Sequence, residues 1–482
     1  MSLIIKNGRI ITATDDFIAD IHCRNQTVTA IGKDLDYSNV DQVIDASGKY
    51  VFPGFIDPHV HVYLPFMGTF AKDNYESISQ AALAGGTTTI IEMCCPDRKD
   101  DLLEAVDLWQ SKAACSAIDY SFHIGVTRFD QQTEKQLRQL VDQGFSSFKV
   151  FLAYEGAFGI NDRELYQTLK LAKELGVIVT AHCENATLVS QLQAELLAQG
   201  KTGPEFHEPS RPEQVEVEGV QRLMTFAELT GCHVYVVHTS SAAAVLAVEQ
   251  ARHRGVNAWI ETVIPYLVLD KTVAEQADFE GAKYVMSPPI RHQRNQEFLW
   301  NALRNRLIST VATDHAPFDL EQKRMGIDDF TRIPNGIPSI EHRVTLLHSY
   351  GVAQGRMDLN TLVDVASTQA AKLFGLYPRK GTIQLGSDAD LVIFDPSAES
   401  LISSQTHHMN VDYSAFEGWP LKGLPETVTV RGKIQFQRGE FVGELGRGQR
   451  LFRQPTHFGH PEMPDQRPDQ RPDVSETGQQ LV

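Results

Sequence analysis

Between about residues 52 and 375, short apolar runs alternate with amphipathic stretches, and this alternation limits the fold more than any other feature of the sequence. The runs are Phe52-His61, Thr87-Cys95, Tyr120-Val126, Ser147-Ala153, Val177-Cys183, His233-Ser240, Asn257-Val263 and Ser309-His315. Between them, stretches such as Arg163 to Leu175 and Val215 to Leu229 repeat apolar residues every three or four positions, which predicts helices. Strands alternating with helices predict a parallel sheet, and eight such strands make a closed (β/α)8 TIM-type barrel the economical α/β architecture. An open doubly wound sheet is the rival. No Gly-rich phosphate loop follows the first run to favour it.

The chain ends are of another kind. Ser2 to Lys6, a turn at Asn7-Gly8, Arg9 to Thr12, Ile18 to Cys23 and Thr27 to Ile31 read as short strands, as do Ala389 to Phe394 and Thr427 to Gly432. Strand-rich ends around a different middle predict a small β-sandwich built from both termini, through residues 1–51 and 379–450. The barrel then spans 52–378. A C-terminal extension, 451–482, carries the polar, proline-rich repeat Asp465-Gln466-Arg467-Pro468-Asp469-Gln470-Arg471-Pro472-Asp473 and is expected to be partly disordered. A chain of 482 residues exceeds the usual limit for one core, which agrees with two domains.

A net charge of −17 argues against nucleic acid or an anionic membrane surface as partner. No apolar run is long enough for a membrane span and the N-terminus lacks a secretory signal, so a cytoplasmic location is expected. The six cysteines are scattered and read as reduced core thiols.

In a parallel barrel the C-terminal ends of the strands open on one face, where active sites lie. The last residues of the predicted strands supply His59 and His61, Lys149, His182, His238 and Asp314. In a strand, residues two apart share a face, so the two imidazoles of His59-Val60-His61 can address one point. Singly, His182 and His238 read equally well as core histidines, and Asp314 as a helix cap. Jointly they suit zinc or another first-row divalent metal. His123, at a similar place in the third strand, is taken as structural. Lys149 lies in Ser147-Phe148-Lys149-Val150-Phe151-Leu152, where burial would lower its pKa. A neutral amine can add carbon dioxide, and the resulting carbamate could bridge two metals. The alternative is a lysine that snorkels to the barrel mouth.

These residues resemble the dihydropyrimidinase/hydantoinase family of cyclic amidohydrolases over nearly the whole chain, to about residue 450. The matching motifs include Gly54-Phe55-Ile56-Asp57-Pro58-His59-Val60-His61, Ala84-Gly85-Gly86-Thr87-Thr88, Phe148-Lys149-Val150-Phe151-Leu152-Ala153-Tyr154, Ser287-Pro288-Pro289-Ile290-Arg291, Thr313-Asp314-His315-Ala316-Pro317 and Asn335-Gly336-Ile337-Pro338. The resemblance implies two divalent metal ions per subunit, with zinc the first choice. His59, His61 and Asp314 would hold one, His182 and His238 the other, and N6-carboxylated Lys149 would bridge them. It further implies that Tyr154 binds the substrate carbonyl, that Ser287 and Asn335 contact the ring amide largely through backbone groups, and that the protein is a homotetramer.

The expected activity is metal-dependent hydrolysis of a dihydropyrimidine or 5-substituted hydantoin to an N-carbamoyl amino acid, with Tyr154 stabilising the oxyanion and Asp314 moving the proton. An allantoinase-like cyclic amidase, or a non-enzymatic scaffold of the same fold, is the alternative. Dihydroorotases, a neighbouring group, tend to carry an arginine where this chain has Tyr63, which speaks against dihydroorotate as substrate.

Overall fold

The computed structural model describes residues 2–36, 38 and 40–455, so the Asp465–Asp473 repeat lies outside the described residues. Eight strands, Phe55–Val60, Thr87–Cys94, Asp119–Gly125, Ser147–Phe151, Ile178–His182, Val234–Val236, Ala258–Val263 and Thr310–Ala312, pair in parallel in sequence order. A parallel bridge from Val60 to His315 brings the last strand back to the first. The fully buried Arg343 braces this seam, donating from Nη1 to Ile56 O at 2.8 Å and Val311 O at 2.9 Å. The sheet is therefore a TIM-type barrel.

Within each strand the two faces do different work. Phe148 and Val150 turn outward to the helices, while Phe151, Tyr235 and Val237 pack inside the barrel. Lys149 alternates with Phe148 and Val150 and so points inward. The helices are fixed at both ends by local chemistry. Asp162–Leu175 begins with a reciprocal cap between Asn161 and Glu164 and ends at Gly176, whose φ of 69° a side chain would resist. Its buried stripe, Leu165, Leu169 and Ala172, is the apolar repeat seen in the sequence.

Both chain ends share a second, mixed sheet. Its order runs Glu440–Phe441, Lys433–Gln437, Pro420–Val430, Leu391–Leu401, Tyr50–Pro53, Ser2–Ile11, Asp16–Arg24, Thr27–Gly32, with Gln42–Asp45 also pairing Ser2–Ile11, so N- and C-terminal strands meet where Tyr50–Pro53 pairs with Leu391–Leu401. Leu3, Ile5, Ile21, Leu391 and Ile393 form its separate core. The turn expected at Asn7-Gly8 is not there. Ser2–Ile11 is one strand, and Asn7, at φ 59°, makes a bulge between Ile5 and Gly8 while its N–H reaches Asp20 Oδ1 at 2.9 Å. Further along, Tyr120 N donates to Gln449 O and Leu451 N to Tyr120 O, so the chain after the second sheet returns to the barrel. There the buried Arg453 reaches Ser121 Oγ at 2.8 Å and Ser147 Oγ at 3.0 Å.

Among the described residues no helix is long and apolar enough to cross a membrane. All six cysteines are free, and all but Cys115 are buried.

Candidate active site

The barrel's C-terminal mouth gathers all nine residues singled out in the sequence. His59, His61, Lys149, Tyr154, His182, His238, Ser287, Asp314 and Asn335 line one cavity, with Leu64, Phe66, Phe151, Phe158 and Ala316. His59 and His182 lie within barrel strands, whereas His238 and Asp314 stand two residues beyond theirs. There the backbone leaves the ladder: φ is 37° at His238, 50° at Asp314 and 60° at Tyr154, a region that costs an ordinary side chain about 1–3 kcal/mol.

Asp314 Oδ1 lies 3.1 Å from His59 Nε2 and 3.2 Å from His61 Nε2, and the three residues form a cluster able to hold a metal ion. On the other side of the cavity His182 Nδ1 and His238 Nε2 face each other at 2.9 Å. The outer ring nitrogens are held by acids. His59 Nδ1 donates to Glu261 Oε1 at 2.7 Å, and His182 Nε2 to Glu184 Oε2 at 2.8 Å. A carboxylate on the outer nitrogen fixes the tautomer and leaves the inner one bare, as metal-binding imidazoles require.

Burial keeps most of this site uncharged except where partners overrule it. It pushes the His61 imidazolium down to about 4 and lowers His182 and His238. These rings are neutral at pH 7, the state that binds metal. For His59 burial also disfavours the charge, but Glu261 and Asp314 outweigh it and raise the pKa. Asp314 is held well below the usual carboxylate range, because His59 and His61 overcome the effect of its burial.

Lys149 is wholly buried, and its Nζ has no hydrogen-bond partner. Burial lowers its pKa, partly offset by Asp314. A sealed amine without an acceptor, next to two clusters of metal-type donors, fits a carbamate bridge better than a snorkelling ammonium. His123, by contrast, spends both nitrogens on protein, with Nδ1 2.7 Å from Ser147 Oγ and Nε2 2.9 Å from Pro58 O.

Residues 50–435 match the model of the amidohydrolase family. The chain belongs to that family. It is 48% identical over 452 residues to a D-hydantoinase of Geobacillus stearothermophilus, covering 93% of this chain and 96% of that one. It is 39% identical over 466 residues to a dihydropyrimidinase of Rattus norvegicus, covering 94% of this chain and 89% of that one. A solved D-hydantoinase (dihydropyrimidinase) from Thermus sp. superposes with a TM-score of 0.93 at 59% identity, over 95% of this chain and all of that one.

Within this amidohydrolase site, sequence reasoning missed Glu261, Glu184 and Arg211. Glu261 also accepts from His238 N at 2.9 Å and Tyr235 Oη at 2.8 Å, so one carboxylate ties the two halves of the site together. An acid at the inward position of the apolar run Trp259-Ile260-Glu261-Thr262-Val263 was the available signal. Arg211 donates to Glu184 Oε2 at 2.5 Å, and its guanidinium carbon sits 5.7 Å from the centre of the Tyr154 ring. Tyr63 stands under a cation instead, with Lys112 Nζ 5.2 Å from its ring centre. Replacing Glu261 by glutamine is expected to weaken metal affinity about 10- to 100-fold, measured by competition with a chromogenic chelator.

Proposed function

We propose that this chain opens the ring of dihydropyrimidines or 5-substituted hydantoins by hydrolysing the cyclic amide bond, giving N-carbamoyl amino acids. The observation that carries the reading is the convergence of four histidines, Lys149 and Asp314 on one cavity that Tyr154, Ser287 and Asn335 also line. The names borne by the relatives, D-hydantoinase and dihydropyrimidinase, support it.

In this reading His59, His61 and Asp314 would hold one divalent cation and His182 and His238 a second, and Lys149, carboxylated at its side-chain nitrogen, would supply the anion between them. Zinc is the metal proposed, since imidazole and carboxylate donors suit it. Such cations supply Lewis acidity toward a carbonyl and lower the pKa of water. The Lys149 lone pair adds to carbon dioxide with loss of a proton, turning an unpaired buried amine into an anion. Asp314, kept ionised by its histidine neighbours, accepts the proton of the attacking water and passes it to the leaving ring nitrogen. Tyr154 donates from its hydroxyl to the oxygen on which negative charge develops. Burial pushes its phenol up to about 12, against the pull of Arg211, so it stays protonated at working pH.

Asn335 Nδ2 donates to Ser287 Oγ at 2.9 Å, and Ser287 Oγ also lies 3.4 Å from His207 Nε2, so protein groups engage both side chains and nearby peptide groups are left for the ring amide. Phe66 meets Tyr154 edge-on at 5.4 Å and Phe158 in a stack at 6.3 Å, an aromatic wall suited to a ring substituent. The division into a barrel over 52–378, a second domain over 1–51 and 379–450, and an extension over 451–482 belongs to the same proposal. So do a homotetramer and a cytoplasmic location.

The test is ring opening on a panel of dihydrouracil, dihydrothymine, hydantoin, phenylhydantoin, allantoin and dihydroorotate, with metal content measured on the same sample. Turnover of the dihydropyrimidines or hydantoins is expected. A metal-loaded protein that opens none of these, or that prefers dihydroorotate, overturns the reading. Tyr154→Phe is expected to lower kcat about 10²- to 10³-fold with metal content unchanged.

A further inference from the structure

The short helix Leu320–Lys323 supplies none of the residues that line the cavity, yet it reaches three segments around it. Its last residue, Lys323, is fully buried, and burial alone pushes its amine toward the neutral form; three carbonyl acceptors around Nζ, which only an ammonium can satisfy, oppose that. The Nζ donates to Val285 O at 3.0 Å, Pro334 O at 2.7 Å and Gly336 O at 2.8 Å, which uses all three protons of an ammonium. Val285 lies two residues before Ser287, and Pro334 and Gly336 flank Asn335.

The two segments are also joined directly, with Gly336 N donating to Val285 O at 2.9 Å. Gly336 is pressed against the segment that follows Asp314: a Cβ added there would stand 2.2 Å from Ala316 O. On the helix's other side Gln322 Nε2 donates to Thr69 Oγ1 at 2.6 Å and Phe70 O at 2.8 Å, in the loop that carries Leu64 and Phe66. A nucleophilic role for Lys323 is ruled out by the same geometry, because the amine is sealed and fully engaged.

We propose that Lys323 is a positioning residue whose ammonium latches the Ser287 segment to the Asn335 segment, and so sets the spacing of the backbone groups that receive the substrate ring. The proposal rests on the reading of Ser287 and Asn335 as the ring-amide subsite. Three carbonyl oxygens pointing at one spot repel each other, and a compact cation with three donors is what holds them together. Without it the two segments keep only the Gly336–Val285 and Asn335–Ser287 bonds and their spacing loosens, while the histidines, Lys149 and Asp314 keep their places. Substrate is then held less well in the ground state and the transition state alike, which raises KM and spares kcat.

The test is Lys323→Met in the full chain. Expected are a KM for the best substrate of the panel raised about 10- to 100-fold, kcat within about threefold of the parent, and unchanged metal content. Amide hydrogen exchange in the substrate-free protein is expected to quicken over residues 283–288 and 333–337 and nowhere in the barrel strands. Exchange that stays parental over those two segments, or that quickens equally across the barrel, overturns the latch. Where the methionine variant is recovered only as aggregate, Lys323→Gln, with two N–H donors for three carbonyls, carries the same measurements and is expected to show a smaller KM rise. If the parent protein opens no cyclic amide, the proposed function fails while the exchange measurement still decides the latch. If exchange is altered as expected and KM is not, the latch exists and its assignment to the substrate subsite fails.

Discussion

Lys149→Ala is expected to lower ring-opening turnover by at least about 10³-fold and to reduce bound metal below two per subunit. The size follows from what the residue would supply. In the proposed site, bridging two cations would be the task of an anion placed between His59, His61 and Asp314 on one side and His182 and His238 on the other. Alanine leaves that space empty, and the two clusters then face each other with mutual repulsion between any cations they hold. Loss of a metal's charge stabilisation in the transition state is worth several kcal/mol, and about 4 kcal/mol corresponds to about 10³ in rate. Added acetate or propionate should restore part of both metal content and turnover, since a free carboxylate can occupy the vacated volume. Elemental analysis and ring-opening assays on one preparation check the prediction. A variant that keeps two metals and is indifferent to carboxylates sinks the bridging role.

Lys149 was legible in the sequence because a strand reads as an alternation, and a lysine on the inward face of Ser147-Phe148-Lys149-Val150-Phe151 breaks it. His59, His61 and His182 were legible for a related reason: each stands at or just past the end of an apolar run, where a barrel collects its chemistry. His238 and Asp314 were placed within predicted strands, but the ladders stop at Val236 and Ala312. Periodicity says nothing about a positive φ, and the side chains reach the site only because the backbone turns there. Glu261 and Glu184 were missed because an orienting acid is defined by its partner, and the His59 partner of Glu261 is 202 residues away in the chain. Lys323 was hidden more completely. In Glu321-Gln322-Lys323-Arg324 it looks like part of a solvated charged run, and only the packed segments 285–287 and 334–336 make it an interior cation.

The second large effect concerns the joint between the two sheets. Lys380 is buried and donates to Asp119 Oδ2 and Asp390 Oδ2, each at 2.6 Å, with Asp388 Oδ2 at 3.0 Å. Asp119 opens the third barrel strand, whereas Asp388 and Asp390 lie just before Leu391–Leu401 of the second sheet. Arg431 joins from the same sheet, its backbone N–H donating to Asp390 Oδ1 at 2.7 Å and its guanidinium pairing with Asp119. Gln449 N, from the returning C-terminal segment, donates to Asp119 Oδ1 at 2.9 Å. One buried cluster of charges thus ties together the barrel floor, the second sheet and the end of the described chain.

Removing one member of a buried charge cluster strands the others, at a cost of about 3–5 kcal/mol. Lys380→Met is accordingly expected to lose about 3–5 kcal/mol of stability, read as a fall in urea midpoint with unchanged slope. Burial by itself would lower the Lys380 pKa, but Asp119, Asp390 and Asp388 outweigh it and raise it above its ordinary 10.5. A raised pKa of this kind stabilises fully below pH 10.5, and the contribution is lost as pH rises through the folded-state value. The deficit of the variant should therefore be constant from neutrality to about pH 10 and shrink above it. Combining Lys380→Met with Asp390→Asn should recover part of the loss, because it removes one of the stranded charges. Turnover per folded subunit should not change, since Asp119 begins its strand and the metal-type donors end theirs. A deficit below about 1 kcal/mol, the range of an exposed ion pair, would show that the joint does not depend on this cluster.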